Sequence, residues 1–382
     1  MNLKFDRRDL LNIASQFDKV ANAKATKLLP IMGTLLFEVN NNEVTVVAYN
    51  LELGARTTTL LDGLNTESGS FTVDSKTLIG CLNKIGTDSV DFEINEKYDK
   101  LVISSSNGRT KYDLTLLSAK DFPELPKVED AKTAEIPKNA IVDGINRVLY
   151  AVNDSDNNLN FKGLNIVNED GNLYFRAIDG YRLAEDKIVS GTKEDFSAII
   201  DKSSAKFVKD IAAKSSNSDD DKIEVAVTDN HCLFKIDGIE IICRKYSNPD
   251  FAFANFIKGC EDNTVITVKK DDFIENINMI LPIVTNTFKF PIKMNIDAVK
   301  QVITIDNSSD RGRGTTEFSP TSIEGKDLMI AFNATYLLDA VSNIAGDEIT
   351  IKLHSGVSPV RIYSSDENNW ALVLPMRIKN EI

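Results

Sequence analysis

The residue types that most often carry catalysis or bind metal are few in this 382-residue chain, and their spacing predicts no reaction. The four cysteines form no CxxC pair, and the two histidines complete no zinc-type ligand set with them. We expect core thiols in a reducing compartment. His231 and Cys232 are neighbours, but neighbours on a strand point to opposite faces, so they do not predict a catalytic dyad. The remaining members of this group are Cys81, Cys243, Cys260 and His354.

The acidic and glycine-containing motifs point to no catalytic or metal site either. The run "SSNSDDDK" at 215–222 lacks the alternating ligand spacing of a calcium loop, which favours a solvated turn. The chain contains neither GxxxxGK[ST] nor GxSxG. We therefore predict that the protein is not an enzyme and binds no cofactor or metal.

The composition is that of an ordinary globular protein, with 42% hydrophobic and 26% charged residues, and the length allows two or three domains. No apolar run approaches the roughly 18 residues of a membrane span, so we predict a cytoplasmic protein with no membrane partner. The net charge of −13 argues against nucleic-acid binding through overall attraction, because phosphate contacts need locally dense Lys and Arg. Any contact with DNA must be local or mechanical.

Two kinds of amphipathic segment recur at a period of about 130 residues. Each has a short strand, a polar start and then apolar residues at helical spacing. The first kind is "LKFDRRDLLNIASQFDKV", "AEIPKNAIVDGINRVLYAV" and "VITVKKDDFIENINMILPIV". The second kind is "GSFTVDSKTLIGCLNKI", "FSAIIDKSSAKFVKDIAAK" and "KDLMIAFNATYLLDAVSNI". Two markers that repeat in step indicate three copies of one domain.

Stretches of alternating apolar and polar residues with turn residues lie between these helices and predict antiparallel strands. The predicted fold class is therefore α+β, with three repeated domains that each pack two helices on antiparallel sheet. We place the domains at 1–127, 128–255 and 256–382, and the linkers within 118–134 and 247–263.

The sequence also contains an apolar run with a proline in it, "WALVLPMRI" at 370–378. Pro375 cannot donate to a sheet ladder, so it should lie at an edge or just beyond a strand, where apolar neighbours are partly exposed. The run is a candidate binding surface. The alternative is a last core strand.

Four motifs in order and spacing are similar to those of one family: "DFPELP" (121–126), "DGYRLA" (179–184), "NPDF" (248–251) and "LPMRI" (374–378). With the threefold repeat, the chain resembles the bacterial beta sliding clamp, the DNA polymerase III beta subunit, over essentially its whole length. The resemblance implies three DNA-clamp domains in each chain and a homodimer that closes head to tail as a ring around duplex DNA. It further implies a processivity factor that serves the replicative DNA polymerase, the clamp loader and other proteins with a clamp-binding motif.

In that family the last strand lines a hydrophobic groove between the second and third domains, where partners insert a short linear motif. By resemblance the groove residues are Phe161, Ile178, Gly180, Tyr181, Arg182, Leu183 and Pro249, then Phe290, Asn333, Tyr336, Val357, Pro359, Leu372, Val373, Leu374, Pro375, Met376 and Arg377. Apolar walls would supply burial, and Arg182, Asn333 and Arg377 could hold peptide carbonyls or an acidic flank. Any single member could instead belong to the core.

The family's helices line the hole of the ring, so basic residues on them would meet phosphates. Lys202, Lys206 and Lys209 fall at i, i+4 and i+7, a stripe opposite an apolar helix face. The other candidates are Lys24, Lys27, Lys76, Lys84 and Arg147. A solvated polar face explains any one lysine equally well, and the predicted third-domain helices "DDFIENINMILPIV" and "NATYLLDAVSNIAG" contain no Lys or Arg.

By resemblance the subunit contact joins the first domain of one chain to the third domain of the other at Tyr112, Ile283 and Val284. Two arcs closed by a twofold axis would satisfy both exposed sheet edges. Each of the three residues could equally be internal core. A repeat scaffold that binds linear peptides without encircling DNA shares the groove, and it stays the alternative function.

Overall fold

The computed structural model describes residues 1–21, 29–62, 65, 67–153, 161–215, 222–247, 262–285 and 291–377. The first repeat has β1 (Asn2–Asp6), α1 (Arg7–Ala21), β2 (Thr34–Asn40), β3 (Glu43–Tyr49), β4 (Leu53–Leu60), β5 (Ser68–Asp74), α2 (Ser75–Lys84), β6 (Ser89–Ile94), β7 (Lys100–Ser105) and β8 (Lys111–Thr115). The second has β9 (Lys132–Pro137), α3 (Lys138–Val148), β10 (Leu164–Glu169), β11 (Asn172–Ile178), β12 (Arg182–Val189), β13 (Phe196–Ile200), α4 (Lys202–Lys214), β14 (Lys222–Val227), β15 (His231–Ile236) and β16 (Ile239–Arg244). The third has β17 (Thr264–Lys269), α5 (Lys270–Ile280), β18 (Pro291–Asp297), β19 (Val302–Ser309), β20 (Gly312–Phe318), β21 (Ser322–Gly325), β22 (Leu328–Asn333), α6 (Ala334–Asn343), β23 (Glu348–Leu353), β24 (Val360–Ser364) and β25 (Asn369–Val373).

All three repeats have the same order of elements, and the third adds only the short β21. The two predicted helical markers of each repeat are its two helices, each preceded by a strand. The pairings between named strands are antiparallel throughout the described residues. The predicted α+β class with three repeated domains is confirmed.

Each repeat contributes two groups of four strands. The groups are β5-β2-β3-β4 with β1-β6-β7-β8, β13-β10-β11-β12 with β9-β14-β15-β16, and β22-β18-β19-β20 with β17-β23-β24-β25. Two strand pairs join groups of successive repeats: β4 with β16, here called the first junction, and β12 with β25, the second junction. β8 holds the place in its group that β16 and β25 hold in theirs, and β20 holds the place of β4 and β12. Among the described strands, neither β8 nor β20 has a partner on its outer side.

The continuous sheets, rather than the repeats, define the compact units. One unit contains Met1–Lys138 and Phe207–Lys245, and it includes the whole first junction. The other contains Asn139–Lys206 and Tyr246–Ile382, and it includes the whole second junction. The domain limits that we place at 127 and 255 therefore stay predictions.

Several helices begin directly after a strand that ends on an Asp or Asn side chain. Such a side chain accepts hydrogen bonds from the first free backbone N–H groups of the helix. Asp74 Oδ1 accepts from Thr77 N at 2.8 Å, and Asn333 Oδ1 accepts from Thr335 N at 2.9 Å. The same role at α1 and α4 falls to Asp6 and Asp201. This capping fixes where each helix leaves its sheet.

A basic residue opens the first helix of every repeat: Arg7, Lys138 and Lys270. Arg7 Nη1 donates to Leu82 O in α2 at 3.3 Å, and Lys270 Nζ donates to Ile344 O just beyond α6 at 3.1 Å. A cation at the carboxyl end of a helix is favourable because unpaired carbonyls point there. The predicted helix from 271 thus begins one residue earlier, at a lysine whose ammonium binds its own domain.

The cores are close-packed beneath these helices. In the first repeat Phe5, Phe37, Phe71 and Phe92 pack together, and the centroids of neighbouring rings lie between 4.9 and 6.4 Å apart. In the second, a Cβ at Gly144 of α3 would lie 2.1 Å from the Phe175 ring, so only glycine lets the helix approach the sheet this closely. No helix within the described ranges is long and apolar enough to cross a lipid bilayer.

Candidate functional site

The loop between β11 and β12 positions the rim of the candidate peptide site. Asp179 Oδ1 accepts hydrogen bonds from Tyr181 N at 2.9 Å and Arg182 N at 3.0 Å. Gly180 has φ +90°, a left-handed conformation that glycine adopts without strain. The tight turn leaves Tyr181 48% exposed.

Pro375 lies just beyond β25, as predicted. Leu374 N donates to Tyr181 O at 2.9 Å, and Met376 N donates to Ala331 O at 2.7 Å. Proline, which has no N–H, therefore falls between two residues whose N–H groups are used. These two bonds hold the last described segment against both the 179–182 loop and β22.

One face of the second junction carries an apolar cluster of predicted and unpredicted residues. Leu183 and Leu372 are directly paired across the junction, and both are buried with Ile178, while Phe161 packs against them. The cluster also contains the stacked rings of Tyr363 and Trp370, with centroids 6.0 Å apart. The sequence analysis missed this aromatic pair, although strand alternation from Leu372 reaches Trp370 on the same face.

Val373 belongs to the other face of β25, contrary to the groove assignment. It is fully buried in the core of the third repeat. The reason is the two-residue period of a strand, which turns Val373 away from Leu372. The predicted set thus divides between the two faces of the sheet.

Arg182 lies on this second face and is held by its own protein. Its Nε donates to Asp179 Oδ2 at 2.9 Å, Nη1 to Asp339 Oδ2 at 2.5 Å and Nη2 to Tyr150 O at 3.0 Å. The guanidinium also lies over the Tyr336 ring, 4.6 Å from its centroid. Burial alone would lower the pKa of Arg182, but the bonds to Asp339 and Asp179 outweigh burial and raise the pKa.

This network changes the predicted roles of the polar groove residues. All three nitrogens of the Arg182 guanidinium already donate within the chain, so this group is a poor candidate for binding peptide carbonyls. The Asn333 side-chain oxygen accepts hydrogen bonds at the start of α6, a role that does not use the amide N–H groups with which Asn333 would bind a carbonyl. Arg377 is exposed and remains a candidate. Pro249 and Phe290 lie outside the described residues.

The exposed apolar members of the predicted set form the rim of the candidate site. Tyr181 and Tyr336 have ring centroids 5.7 Å apart, and Leu374 joins them with 39% of its surface exposed. Pro359, Pro375 and Met376 are half-buried, and Val357 is the most exposed of the predicted set. Within the described residues, no three or more His, Cys, Asp or Glu side chains could hold a metal ion.

The structure divides the basic candidates into exposed and engaged residues. Helix α4 buries its predicted apolar face and exposes Lys206. Lys202 Nζ donates to Val152 O at 3.2 Å, and Lys209 Nζ lies 3.7 Å from Asp210 Oδ1. Lys76 and Lys84 are both exposed on α2. Lys24 and Lys27 lie outside the described residues.

Arg147 is bound by carboxylates. Its guanidinium lies 3.2 Å from Asp186 Oδ2 and 3.4 Å from Asp143 Oδ2. Asp186 is almost fully buried, and burial raises its pKa from 3.8 to about 6 against the opposing effect of Arg147. This pairing weakens the case for Arg147 as a phosphate ligand.

The interface candidates differ in how accessible they are. Tyr112 is half-buried on the edge strand β8. Ile283 packs on the edge strand β20, and its Cδ1 lies 2.5 Å from where a Cβ would stand on Gly314. Val284 packs in the core of its own repeat with only 5% exposed, so it has almost no surface to offer a partner.

The family assignment rests on models of all three domains of the DNA polymerase III beta subunit. The N-terminal domain model matches residues 1–126, the central domain model 135–246 and the C-terminal domain model 260–377. The chain belongs to the DNA polymerase III beta subunit family. The observation that decides it is that the three models match in order along one chain.

Its relatives in this family are distant. The beta sliding clamp of Synechocystis sp. is 24% identical over 403 residues, covering 100% of both chains, and that of Bacillus subtilis is 23% identical over 316 residues, covering 81% of each. Among solved structures, the Bacillus subtilis DNA polymerase sliding clamp has a TM-score of 0.90 at 21% identity, and the Pseudomonas aeruginosa beta subunit 0.88 at 18%. Each alignment covers 99% of this chain and 100% of the other. The fold of the family is thus preserved at low identity.

Proposed function

We propose that this chain is a DNA sliding clamp, a processivity factor that closes as a homodimer around duplex DNA and tethers the replicative polymerase. The single observation that carries the proposal is the ordered match to all three domains of the beta subunit. A clamp needs no catalytic residue of its own, because retention on DNA is topological. It acts in the cytoplasm, on bacterial DNA.

Two described strands without an outer partner, β8 and β20, support the homodimer. At each junction the last strand of one group pairs with the last strand of another: β4 with β16, and β12 with β25. Among the described strands, β20 and β8 hold the equivalent places without a partner, and an unpaired strand edge favours pairing with another chain. Two equivalent β8–β20 contacts close a ring by twofold symmetry, with Tyr112 and Ile283 at each contact.

Contact with DNA falls to the exposed lysines of the first two repeats, Lys76, Lys84 and Lys206. Lys202 and Lys209 contribute when their internal partners are exchanged for phosphate, and Lys24 and Lys27 remain candidates. Because the net charge is −13, the grip is weak and depends on salt, which suits sliding.

Partner peptides bind at the second junction. The apolar rim of Tyr181, Tyr336, Leu374 and Val357 supplies surface, and the adjoining cluster of Ile178, Leu183 and Leu372 gives it a rigid base. Apolar contact at about 25 cal/mol per Å² lets a short motif bind and exchange. The partners would be the replicative polymerase, the clamp loader and other proteins with such motifs.

The test is retention on DNA of different topology. The protein is loaded on nicked circular plasmid with a clamp loader and ATP, separated from free protein by gel filtration, and the circle is then cut. We expect co-elution with the circle and release on linearisation. Equal retention on linear DNA, or none on the circle, would exclude a clamp. Peptide binding without retention would leave the non-encircling scaffold.

A further inference from the structure

One position that all three repeats share carries a charged group only in the second. Strand register identifies it, because each ladder can be followed from the residue three places before the capping residue of the second helix. The ladders run through Phe71, Phe37, Val46 and Thr57, through Ala198, Ile166, Phe175 and Asp186, and through Ile330, Met294, Ile305 and Thr316. Thr57, Asp186 and Thr316 are therefore equivalent.

The first helix of each repeat carries a second set of equivalent positions. Nine residues after the first residue of each helix come Gln16, Arg147 and Met279. Arg147 Nη1 donates to Asp186 Oδ1 at 3.3 Å and to Oδ2 at 3.2 Å, and Thr316 Oγ1 lies 3.8 Å from Met279 Sδ. The first and third repeats have the same order of elements with uncharged residues at both positions. The fold therefore does not require the ion pair of Arg147 with Asp186.

Arg147 is held less tightly than Arg182. Its guanidinium makes contacts of 3.2 to 3.4 Å with the carboxylates of Asp186 and Asp143, all longer than the about 2.7–2.9 Å of a strong charge-assisted hydrogen bond. Arg182 instead bonds to its two carboxylates at 2.5 and 2.9 Å. The Arg147 side chain is also 31% exposed, against 11% for Arg182. Arg147 can therefore exchange its partners at a lower cost.

Arg147 is also the cation that α3 can offer to a ligand. The helix has one other basic residue, Lys138, which is buried, and its exposed residues are Asn139, Asp143 and Asn146. In the proposed clamp this helix lines the hole, so a charged bond from α3 to a DNA phosphate has to come from Arg147. In the free protein that guanidinium is bound to carboxylates instead.

Departure of Arg147 would leave a buried carboxylate without a cation. Asp186 is 1% exposed, and among the described residues Arg147 is the only donor of hydrogen bonds to its side chain. Burial raises the pKa of Asp186 from 3.8 to about 6, although Arg147 acts in the opposite direction. Without Arg147 this pKa is higher still, because a buried carboxylate that has no partner is more stable with a proton.

The other described groups around Asp186 supply no replacement cation. Asp143 of α3 and Asp366 of the β24–β25 turn are acidic, and both raise the pKa of Asp186. Asn369 of β25 and a phenylalanine of β11 pair with Asp186 across the strands, and neither carries a charge. Asp339, the only charged residue of α6, binds a different guanidinium. Uptake of a proton is therefore the way in which this carboxylate loses its charge.

We propose that Arg147 exchanges its carboxylate partners for a DNA phosphate, and that Asp186 takes up a proton from water as Arg147 leaves. The guanidinium bonds to Asp186 and Asp143 break, bonds to a phosphate oxygen form, and one Asp186 oxygen gains the proton. This inference rests on the proposed clamp function. It adds to it a DNA ligand that is paired internally in the free protein, and a grip on DNA that depends on pH.

The direction of the pH dependence follows from proton linkage. Asp186 holds more protons in the DNA-bound state than in the free state, so the contact strengthens as pH falls and weakens as pH rises above about 6. A stronger phosphate contact makes deeper energy wells along the duplex. The protein should therefore slide more slowly at low pH than at high pH.

Single-molecule tracking of the loaded protein tests the coupling. Fluorescently labelled full-length protein is loaded by a clamp loader and ATP on nicked duplex DNA that is tethered at both ends, and the buffer is then changed at constant low salt. We expect the wild-type diffusion coefficient to be at least about twofold lower at about pH 6 than at about pH 8.5. Equal coefficients at the two pH values overturn the proposal.

Two variants should shift sliding in opposite directions. Asp186→Asn keeps the shape but removes the anion, so Arg147 is free for phosphate and sliding should be slow at both pH values. Arg147→Gln with Asp186→Thr copies the uncharged residues of the first repeat, removes the phosphate ligand and should slide fast at both pH values. A shift of both variants in the same direction would mean that the pair acts only on structure, and it contradicts the proposal.

Asp143→Asn is the matched control. It removes the exposed carboxylate contact of Arg147 and leaves the buried one in place, so the difference between the two pH values should persist. The two histidines of the chain also titrate near this range. A pH dependence that persists in Asp186→Asn would come from such a group and would show that Asp186 is not the site of proton uptake.

The two proposals fail in distinguishable ways. If the wild-type protein is retained on circular DNA and slides equally fast at both pH values, only the exchange at Arg147 and Asp186 is wrong. If the wild-type protein is not retained on the circle, the clamp function fails with it.

Discussion

The first and second junctions share a backbone and differ in their side chains. Asn50 accepts hydrogen bonds in its loop as Asp179 does in the other, and Leu51 has a positive φ as Gly180 has. Arg244 N donates to Glu52 O at 2.8 Å, matching the 2.9 Å bond from Leu374 N to Tyr181 O. The two rims therefore make the same hydrogen bonds at equivalent positions.

The side chains at those positions have opposite chemistry. At the first junction Arg244 Nη1 lies 3.0 Å from Glu52 Oε1, an ion pair where the second junction has Leu374 and Tyr181. The first junction has a second ion pair, Arg56 with Glu240 at 2.6 Å, which face each other across the strands. The residues that face each other at the equivalent positions of the second junction are Glu185 and Trp370. The first rim is therefore solvated and the second is apolar.

The first junction is also filled by its own chain. Leu125, from the predicted linker, packs on Tyr49 in one apolar cluster and on Ile242 in another, and so joins the two repeats. Its Cδ2 lies 2.4 Å from where a Cβ would stand on Gly54, the position that Leu183 holds at the second junction. The same scaffold thus closes one junction with an internal segment and leaves the rim of the other apolar, as a partner site requires.

We expect the largest change in stability from breaking the hydrogen-bond network of Arg182. The equivalent residue at the first junction is the buried Leu53, which makes no such network. Arg182→Leu leaves Asp179 and Asp339 without their cation and should lower the free energy of unfolding by about 3 kcal/mol. Urea denaturation of the full chain measures the loss. Removing all three charges, with Asp179→Asn and Asp339→Asn added, should recover at least half. An equal loss in both variants would show that packing, and not charge, holds this loop.

A steric prediction concerns the first junction. Gly54→Leu copies the second junction and drives a side chain into Leu125, so it should cost about 2 kcal/mol through overpacking. Thermal unfolding measures the change, and Leu125→Ala in the same chain should restore part of it. Gly80→Ala, where a Cβ meets nothing within 4 Å, is the control. A neutral Gly54→Leu would mean that the linker does not fill the junction.

The sequence predicts the repeat and the fold class because both rest on periodic patterns. Three copies of a strand-helix order can be seen in apolar spacing, and the motif "LPMRI" places Pro375 beyond a strand through its missing N–H. What spacing cannot supply is the partner of a side chain. Arg182 looks like a peptide ligand in sequence, but it binds Asp339, which is 157 residues away along the chain.

Faces are also hard to assign in a continuous apolar run. "WALVL" is apolar at every position because both faces of β25 are covered, so alternation gives no sign that Val373 and Leu372 point apart. Register supplies the missing information. Once Leu372 is known to pair with Leu183, Trp370 and Tyr363 follow on the same face and Val373 on the other.

The strands β12 and β4 differ at one position that should make stability depend on pH. β12 has the buried Asp186 where β4 has Thr57, which does not titrate. The folded pKa of about 6 lies above the ordinary 3.8, so the folded chain keeps a proton that the unfolded chain loses between these values. This group therefore lowers stability as pH rises from about 4 to about 6, by about 3 kcal/mol, and has no effect below that window. Asp186→Asn should match wild type near pH 4 and be more stable above pH 6 in urea denaturation. Parallel pH profiles would contradict the assignment.

The smallest change in stability, and the most direct test of the comparison, is at the rims. Tyr181→Ala with Leu374→Asp alters exposed side chains, so the free energy of unfolding should change by no more than about 0.5 kcal/mol. Affinity for a clamp-binding peptide of the replicative polymerase, measured by fluorescence anisotropy, should fall at least about tenfold, because the peptide loses apolar surface. The matched control is Glu52→Ala with Arg244→Ala, the same two backbone positions at the first junction, where peptide affinity should not change. Equal effects at both rims would contradict the view that side-chain chemistry, on a shared backbone, selects which junction binds partners.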